Sequence, residues 1–230
     1  MGIYLAKTPK TVYKISLNAQ SMGNACLINT MTLPTSKSAL RKQLNRQRQR
    51  LTVSERQRAS HLAVRQLHHI AQQFCLPKQA KIAVFVDAFG ELPTQSLIDW
   101  ATRQGFAIYL PVVTHPHQPL TFIQLAPTHL RKARLCRHAF GMRQPKKGRQ
   151  LSAKKMDMIV VPLVAIDKQG YRMGMGGGFY DRTLAKTKTK PLTIGWAYDF
   201  QWVAQLPHEA WDIRLDGLVT PSHSVWFRRY

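Results

Sequence analysis

Met156–Arg182 reads MDMIVVPLVAIDKQGYRMGMGGGFYDR. The first eleven residues form a nearly continuous apolar run, the pattern of a strand buried on both faces. The last thirteen hold five glycines, four of them within Gly174–Gly178. Glycine has the most backbone freedom to lose on folding, so such a cluster marks backbone that approaches something closely or takes positive φ. FYDRTLAK then reads as a short helix. Strand, glycine loop, helix is an order that builds anion sites, because bare backbone N–H groups converge and the helix start adds partial positive charge. In an α/β sheet such a loop lies at the carboxyl ends of strands, where ligands bind.

The loop matches neither common nucleotide motif. No Lys-Ser/Thr follows the glycines, as a P-loop requires, and Phe179 stands where a GxGxxG would have its third glycine. A plain glycine turn before a helix remains open, although the local chemistry favours phosphate. Asp181, in the first turn of that helix, has two open readings. It complements the helix start, or it holds Mg²⁺, which prefers one or two carboxylates plus phosphate oxygens. Asp212 and Asp216, in WDIRLDG, could lie near the same strand ends or in a solvated loop with Arg214.

Outward from this block, helical and strand patterns alternate. Ser36 and Thr35 are candidate N-caps for a first helix, with Leu40, Leu44 and Leu51 on one face and Arg41, Lys42, Arg46, Arg48 and Arg50 on the others. Thr52 and Glu55 form a capping box opening a second helix, about 53–74, with Leu62, Leu67 and Ile70 as core positions. KIAVFV (81–86) reads as a buried strand, Glu91 falls in the loop after it, and Thr94 caps a helix running to about Gln104, stopped by Gly105. FAIYLPVV (106–113), LTFIQL (120–125), TIGWAY (193–198) and DGLVTP (216–221) complete the strands, and 126–155 stays unassigned. The pattern predicts an α/β fold, a single three-layer domain with a mostly parallel, Rossmann-like central sheet and helices on both faces.

Lys and Arg number 34 against 11 Asp and Glu, a net charge of +23. Such a field attracts polyanions, whether nucleic acid, nucleotide or polycarboxylate, unless it is only a general taste for basic surfaces. No RRM, KH or zinc-finger pattern appears, so nucleic acid is expected to bind only weakly and non-specifically. The longest apolar run is too short for a bilayer and contains Pro162, so no membrane span is expected. Cys26, Cys75 and Cys136 are scattered, and His68-His69 and His115-Pro-His117 lack partners at metal spacing. The cysteines fit a reduced cytoplasm. Residues 1–35, with no acidic residue, read as a disordered extension or as residues ahead of a start at Met31, leaving 36–230 as the domain.

RMGMGGGFYDRTL, with MDMIVVPLVAID before it, TIGWAYDFQWVAQLPHEAWDIRLDGLVTP after it, KSALRKQLNRQRQRL near the N-terminus and the central GELPT, resembles the 5-formyltetrahydrofolate cyclo-ligases, or methenyltetrahydrofolate synthetases. The resemblance covers about 36–221 and is nearest to the bacterial branch. It implies an ATP- and Mg²⁺-dependent enzyme in which the formyl oxygen of 5-formyltetrahydrofolate takes the γ-phosphate. The second folate nitrogen then closes the ring, phosphate leaves, and 5,10-methenyltetrahydrofolate forms. Catalysis would be mostly positioning and stabilisation of phosphoryl charge.

By the same resemblance, the ATP contacts are Lys37, Ser38, Ala39, Leu40 and Arg41, together with Arg172, Met173, Gly174, Met175, Gly176, Gly177, Gly178, Phe179 and Tyr180. Lys37 and Arg172 are the implied catalytic cations, and Asp181 and Asp212 the Mg²⁺ carboxylates. Glu91 is the implied folate contact, joined by Met175 to Phe179, and its carboxylate suits the donor-rich pterin ring. Tyr180 also reads as a core residue. Many family members carry Arg or Lys in a loop like GRGKGYYD, where this chain has Met175 and Gly177. Either Lys37, Arg41 and Arg172 suffice here, or backbone amides do more of the binding. The implied substrate is a folate, which a basic surface would suit in polyglutamylated form, and the implied state is a monomer. A basic nucleic-acid binder, or a nucleotide-binding regulator on the same fold, is the alternative.

Overall fold

The computed structural model describes residues 36–71, 76–126, 128–187 and 191–227. Two units divide the chain, Met1–Leu33 and Pro34–Tyr230, and the first lies outside the described residues. Two helices open the second unit, α1 (Lys37–Arg50) and α2 (Val53–Ala71), followed by β1 (Lys81–Ala83), α3 (Gln95–Arg103), β2 (Ala107–Val112) and β3 (Thr121–Gln124). The unassigned region supplies β4 (Leu135–Arg137), β5 (Arg143–Pro145) and β6 (Gln150–Ser152). Then come β7 (Met158–Val161), β8 (Ala165–Ile166), β9 (Arg172–Met173), α4 (Phe179–Ala185), β10 (Leu192–Trp196), β11 (Gly217–Val219) and β12 (Ser224–Trp226).

The expected capping chemistry opens α1 and α2. The Ser36 side chain accepts from the Ala39 N–H at 3.1 Å. Thr52 N donates to Glu55 at 2.7 Å while Glu55 N donates to Thr52 Oγ1 at 3.2 Å, a reciprocal box. On α2, Ser60, Ala63 and Leu67 are buried at helical spacing, whereas Leu62, expected in the core, is exposed because it lies off that stripe. The side chain of Ile70, and Thr35, lie outside the described residues. Thr94 does precede α3, yet its hydroxyl donates to the Phe85 carbonyl and to Asp87, not to the helix start.

The main sheet has eight strands in the order β12-β11-β10-β7-β1-β2-β3-β6. β11, β10, β7, β1 and β2 run parallel, and β12, β3 and β6 add antiparallel edges. Alternation along the strands divides the core. Ile82, Ile108, Leu110, Met158, Val160, Ile194 and Trp196 meet α2 and α3 on one face. Ala83, Tyr109, Ile159, Val161 and Leu218 meet α4 on the other. Leu40 and Leu44 of α1 pack separately, on Val164, Ala165 and Met173.

Two expected strands are shorter than their apolar runs. KIAVFV is strand only as far as Ala83, with a last ladder bond from Val84 N to Tyr109 O at 2.8 Å, although Val84, Phe85 and Val86 stay buried. MDMIVVPLVAI is two strands broken at Pro162, which has no N–H for the ladder. Both breaks fall at the carboxyl ends of β1 and β7. The parallel strands leave these two neighbours in opposite directions, β1 toward β2 and β7 toward β10, which makes this the switch point where doubly wound sheets bind ligands.

Candidate functional site

A cleft of about 440 Å³ opens at that switch point, a size typical of small-molecule sites. Phe85, Val86, Ala88, Phe89 and Glu91 reach it from the segment after β1, and Pro162 and Leu163 from the end of β7. The β8–β9 hairpin, in which Val164 N donates to Met173 O at 2.7 Å, presents Arg172 and the glycine loop. Lys37 and Arg41 of α1 line the cleft too, being four residues apart on one face. Pro207, Trp211 and Asp212 line it from the stretch before β11.

The glycine loop is held from both sides. Arg41 Nε donates to Gly174 O at 3.0 Å, and Arg182 of α4 donates to Gly177 O at 2.7 Å. Gly176 (φ 102°) and Gly178 (φ 62°) take left-handed backbone, where a side chain is strained. Gly174 does not, and nothing stands within 4 Å of where its Cβ would be, so its lack of a side chain leaves open space over the cleft.

Arg172, its side chain only 4 % exposed, donates to Asp181 Oδ1 and to Ile213 O, both at 2.8 Å. It thereby fixes the first turn of α4 against the segment that carries Asp212. Asp181 Oδ1 is spent on Arg172; Asp212 Oδ2 accepts from Glu209 N at 2.9 Å, and Glu209 pairs with Lys37 at 3.8 Å. No group of three metal-ligating side chains occurs among the described residues. Two carboxylates on the wall of one cleft, each with one oxygen in these bonds, fit Mg²⁺ of the kind that completes its shell with phosphate oxygens and water.

Glu91 stands at the inner end. One carboxylate oxygen accepts from Ala88 N at 3.0 Å, and the other lies 3.9 Å from Arg48 Nη1. Burial pushes the Glu91 carboxyl up to about 7, against the opposing pull of the Ala88 N–H and the Arg48 charge, with Asp87 adding to the rise. Tyr180 lines the cleft and also packs on the α4-side core, and burial pushes its hydroxyl pKa up.

Most of the residues singled out from sequence therefore meet in one cleft. Ser38 and Ala39 are exposed beside it without lining it, and Leu40 is a core residue of α1. Asp216 is buried and accepts from Thr193 N and Oγ1 at the start of β10, away from the cleft. The sequence reading missed two arginines. Arg182 lines the cleft with its guanidinium 5.1 Å from the Phe179 ring centre. Arg48, expected on a solvated face, is wholly buried. The signal was present, since 48 follows Leu40 and Leu44 at successive steps of four, the buried stripe itself.

The profile of the 5-formyltetrahydrofolate cyclo-ligase family matches residues 34–221. The chain is 43 % identical over 152 residues to 5-formyltetrahydrofolate cyclo-ligase of Escherichia coli K12, covering 63 % of this chain and 79 % of that protein. It is 36 % identical over 182 residues to the cyclo-ligase of Haemophilus influenzae, covering 76 % and 92 %. The NMR structure of Aquifex aeolicus 5,10-methenyltetrahydrofolate synthetase superposes with a TM-score of 0.69 at 32 % identity, over 84 % of this chain and 93 % of that one. The chain belongs to the 5-formyltetrahydrofolate cyclo-ligase family.

Proposed function

We propose that the chain converts 5-formyltetrahydrofolate to 5,10-methenyltetrahydrofolate with ATP and Mg²⁺, releasing ADP and phosphate. The observation that carries this reading is the meeting, in one cleft at the β1/β7 switch point, of Lys37, Arg41 and Arg172 with Asp181 and Asp212 around a bare glycine loop, and of Glu91 at the inner end.

An amide oxygen is a poor leaving group, and transfer of the γ-phosphoryl group to the formyl oxygen of the substrate makes it a good one. The second folate nitrogen then attacks the formyl carbon, the carbon–oxygen bond breaks, phosphate leaves with that oxygen, and the nitrogen gives its proton to solvent. Lys37, Arg41 and the loop amides bind and orient the phosphates, so that the reacting oxygens stand in line. Arg172 faces the phosphoryl charge and keeps Asp181 in place. Asp181 and Asp212 would hold Mg²⁺, which supplies charge neutralisation on the phosphate oxygens. Glu91, when ionised, accepts hydrogen bonds from the N–H groups of the pterin ring and fixes its depth in the cleft.

In this reading residues 36–230 act as a cytoplasmic monomer on small molecules, with nucleic acid bound only non-specifically. No helix among the described residues is long and apolar enough to cross a membrane. Steady-state turnover of Asp181→Asn and Arg172→Ala tests the site. Each is expected to lose about 100-fold or more, as removal of a group that acts on transition-state charge does. Unchanged turnover in either would remove the phosphate and metal assignment.

A further inference from the structure

Arg48 is buried in a helix stripe otherwise made of leucine. Its guanidinium reaches three pieces of the cleft. Nη1 donates to Leu163 O at 3.3 Å, at the end of β7, and lies 3.9 Å from Glu91. Nη2 donates to Asn45 Oδ1 at 2.6 Å and lies 4.0 Å from Met175 Sδ in the glycine loop. Among the described residues Nε has no hydrogen-bond partner. The loop after β1 rests directly on this residue, since a Cβ on Gly90 would stand 3.1 Å from the Arg48 carbonyl.

A buried, partly unsatisfied cation is a costly way to fill a core position, because apolar side chains of similar volume commonly replace buried ion pairs without loss of stability. The residue is therefore explained better by what it holds than by packing. The geometry points to Arg48 as a positioning residue for the cyclo-ligase reaction: it anchors the Glu91 carboxylate at the inner end of the cleft and ties that loop to α1 and to the end of β7. This inference rests on the proposed role of Glu91 as the folate contact.

The charge works in the same direction. Asp87 of the same loop disfavours an ionised Glu91, as does its burial. Tyr180 of α4 and Tyr198, after β10, also feel the Glu91 charge. The Arg48 cation opposes these and lowers the Glu91 pKa. Burial lowers the pKa of Arg48 itself, but a guanidinium starts high enough to stay charged at neutral pH.

The chain has only three glutamates, Glu55, Glu91 and Glu209, so a carboxyl ¹³C titration on glutamate-labelled protein reads Glu91 directly. Arg48→Met is expected to raise the Glu91 midpoint by about one unit or more, and Arg48→Lys, which keeps the charge, by less than about half a unit. In turnover, Arg48→Met raises KM for 5-formyltetrahydrofolate about 10-fold or more and moves the acid limb of kcat/KM to higher pH, with MgATP affinity within about threefold. Arg48→Lys cannot span Leu163 O and Asn45 together, so its folate KM rises severalfold even with the midpoint kept. If Arg48→Met does not fold, Arg48→Lys decides, and an unchanged folate KM there overturns the inference. In a Glu91→Gln background, Arg48→Met adds no further loss of folate affinity.

A purely structural Arg48 would lower folate and MgATP binding together, in step with the melting temperature and with an unmoved pH profile. That result overturns the inference alone, provided Glu91→Gln still impairs folate binding. A Glu91→Gln enzyme with normal folate KM instead overturns the role of Glu91, and the inference with it.

Discussion

Gly174 and Gly176 sit two residues apart, and a methyl group harms them in different ways. At Gly176, φ is 102°, so alanine strains the backbone, a cost of about 1–3 kcal/mol in a non-glycine residue. At Gly174 alanine meets no protein atom, and the fold should lose less than about 0.5 kcal/mol. If the open face above Gly174 is where phosphate lies, Gly174→Ala still weakens MgATP about 10-fold, with an unchanged melting curve. Calorimetry of that one variant separates a phosphate cradle from a tight turn. Wild-type affinity in it would favour the turn. Glu91 supplies a second test at the level of one side chain. Its carboxyl is raised from 4.5 to about 7, so the folded state holds the proton more tightly than the unfolded chain. The contribution to stability is complete below about pH 4.5 and lost as pH rises through about 7. Chemical denaturation should therefore show Glu91→Gln gaining on wild type as pH rises through that window. Activity runs the other way, with wild-type kcat/KM falling as pH drops below about 7 and Glu91 takes up its proton.

Helix α1 couples packing to chemistry. Leu40 and Leu44 dock it on Val164, Ala165 and Met173, and that docking sets where Lys37 and Arg41 stand over the cleft. Leu44→Ala is expected to cost about 2–4 kcal/mol and to raise the KM for ATP more than that for folate. A fall in stability with KM for ATP unmoved would mean that the two cations do not depend on α1. Helix α4 brings one more cation, Arg182, to the wall of the cleft beside the glycine loop. Arg182 bonds Gly177 O and Pro116 O, so Arg182→Ala should weaken MgATP several-fold while the helix persists. The elements that sequence made legible are those with local chemistry, namely the Ser36 and Thr52–Glu55 caps, the stop at Gly105 and the glycine loop. Less legible were features decided by tertiary contacts. Phe85 and Val86 are as apolar as the strand before them but lie beyond the ladder and wall the cleft. Residues 135–152 supply three short strands, β4 and β5 paired with each other and β6 with β3, whose side chains are mostly exposed or half-buried and carry no clear period. Arg48 was missed because a charged residue was assigned to water before its place on the stripe was counted.

Across the molecule, charge and topology act on different ligands. The sheet order places the cleft at the β1/β7 switch point, while the basic residues behind the +23 charge concentrate in 37–68 and 131–155. A polyanion should therefore bind by counterion release, weakly and without sequence preference, and should be lost as salt rises from about 50 to 200 mM. Turnover with saturating substrates should persist over that range, because the cleft contacts are short and partly buried. Filter binding of RNA beside turnover at each salt concentration distinguishes the two. RNA binding that survived salt, with turnover inhibited in parallel, would make nucleic acid a partner of the cleft.

The central claim is that the cleft closes a folate ring at the expense of ATP. It is tested most directly by near-ultraviolet absorbance of the purified protein with 5-formyltetrahydrofolate, since the methenyl product has a band of its own. An increase in that band that requires both ATP and Mg²⁺ is the predicted result. A flat trace, from protein that binds MgATP calorimetrically, would contradict the claim and leave a nucleotide-binding regulator on the cyclo-ligase fold.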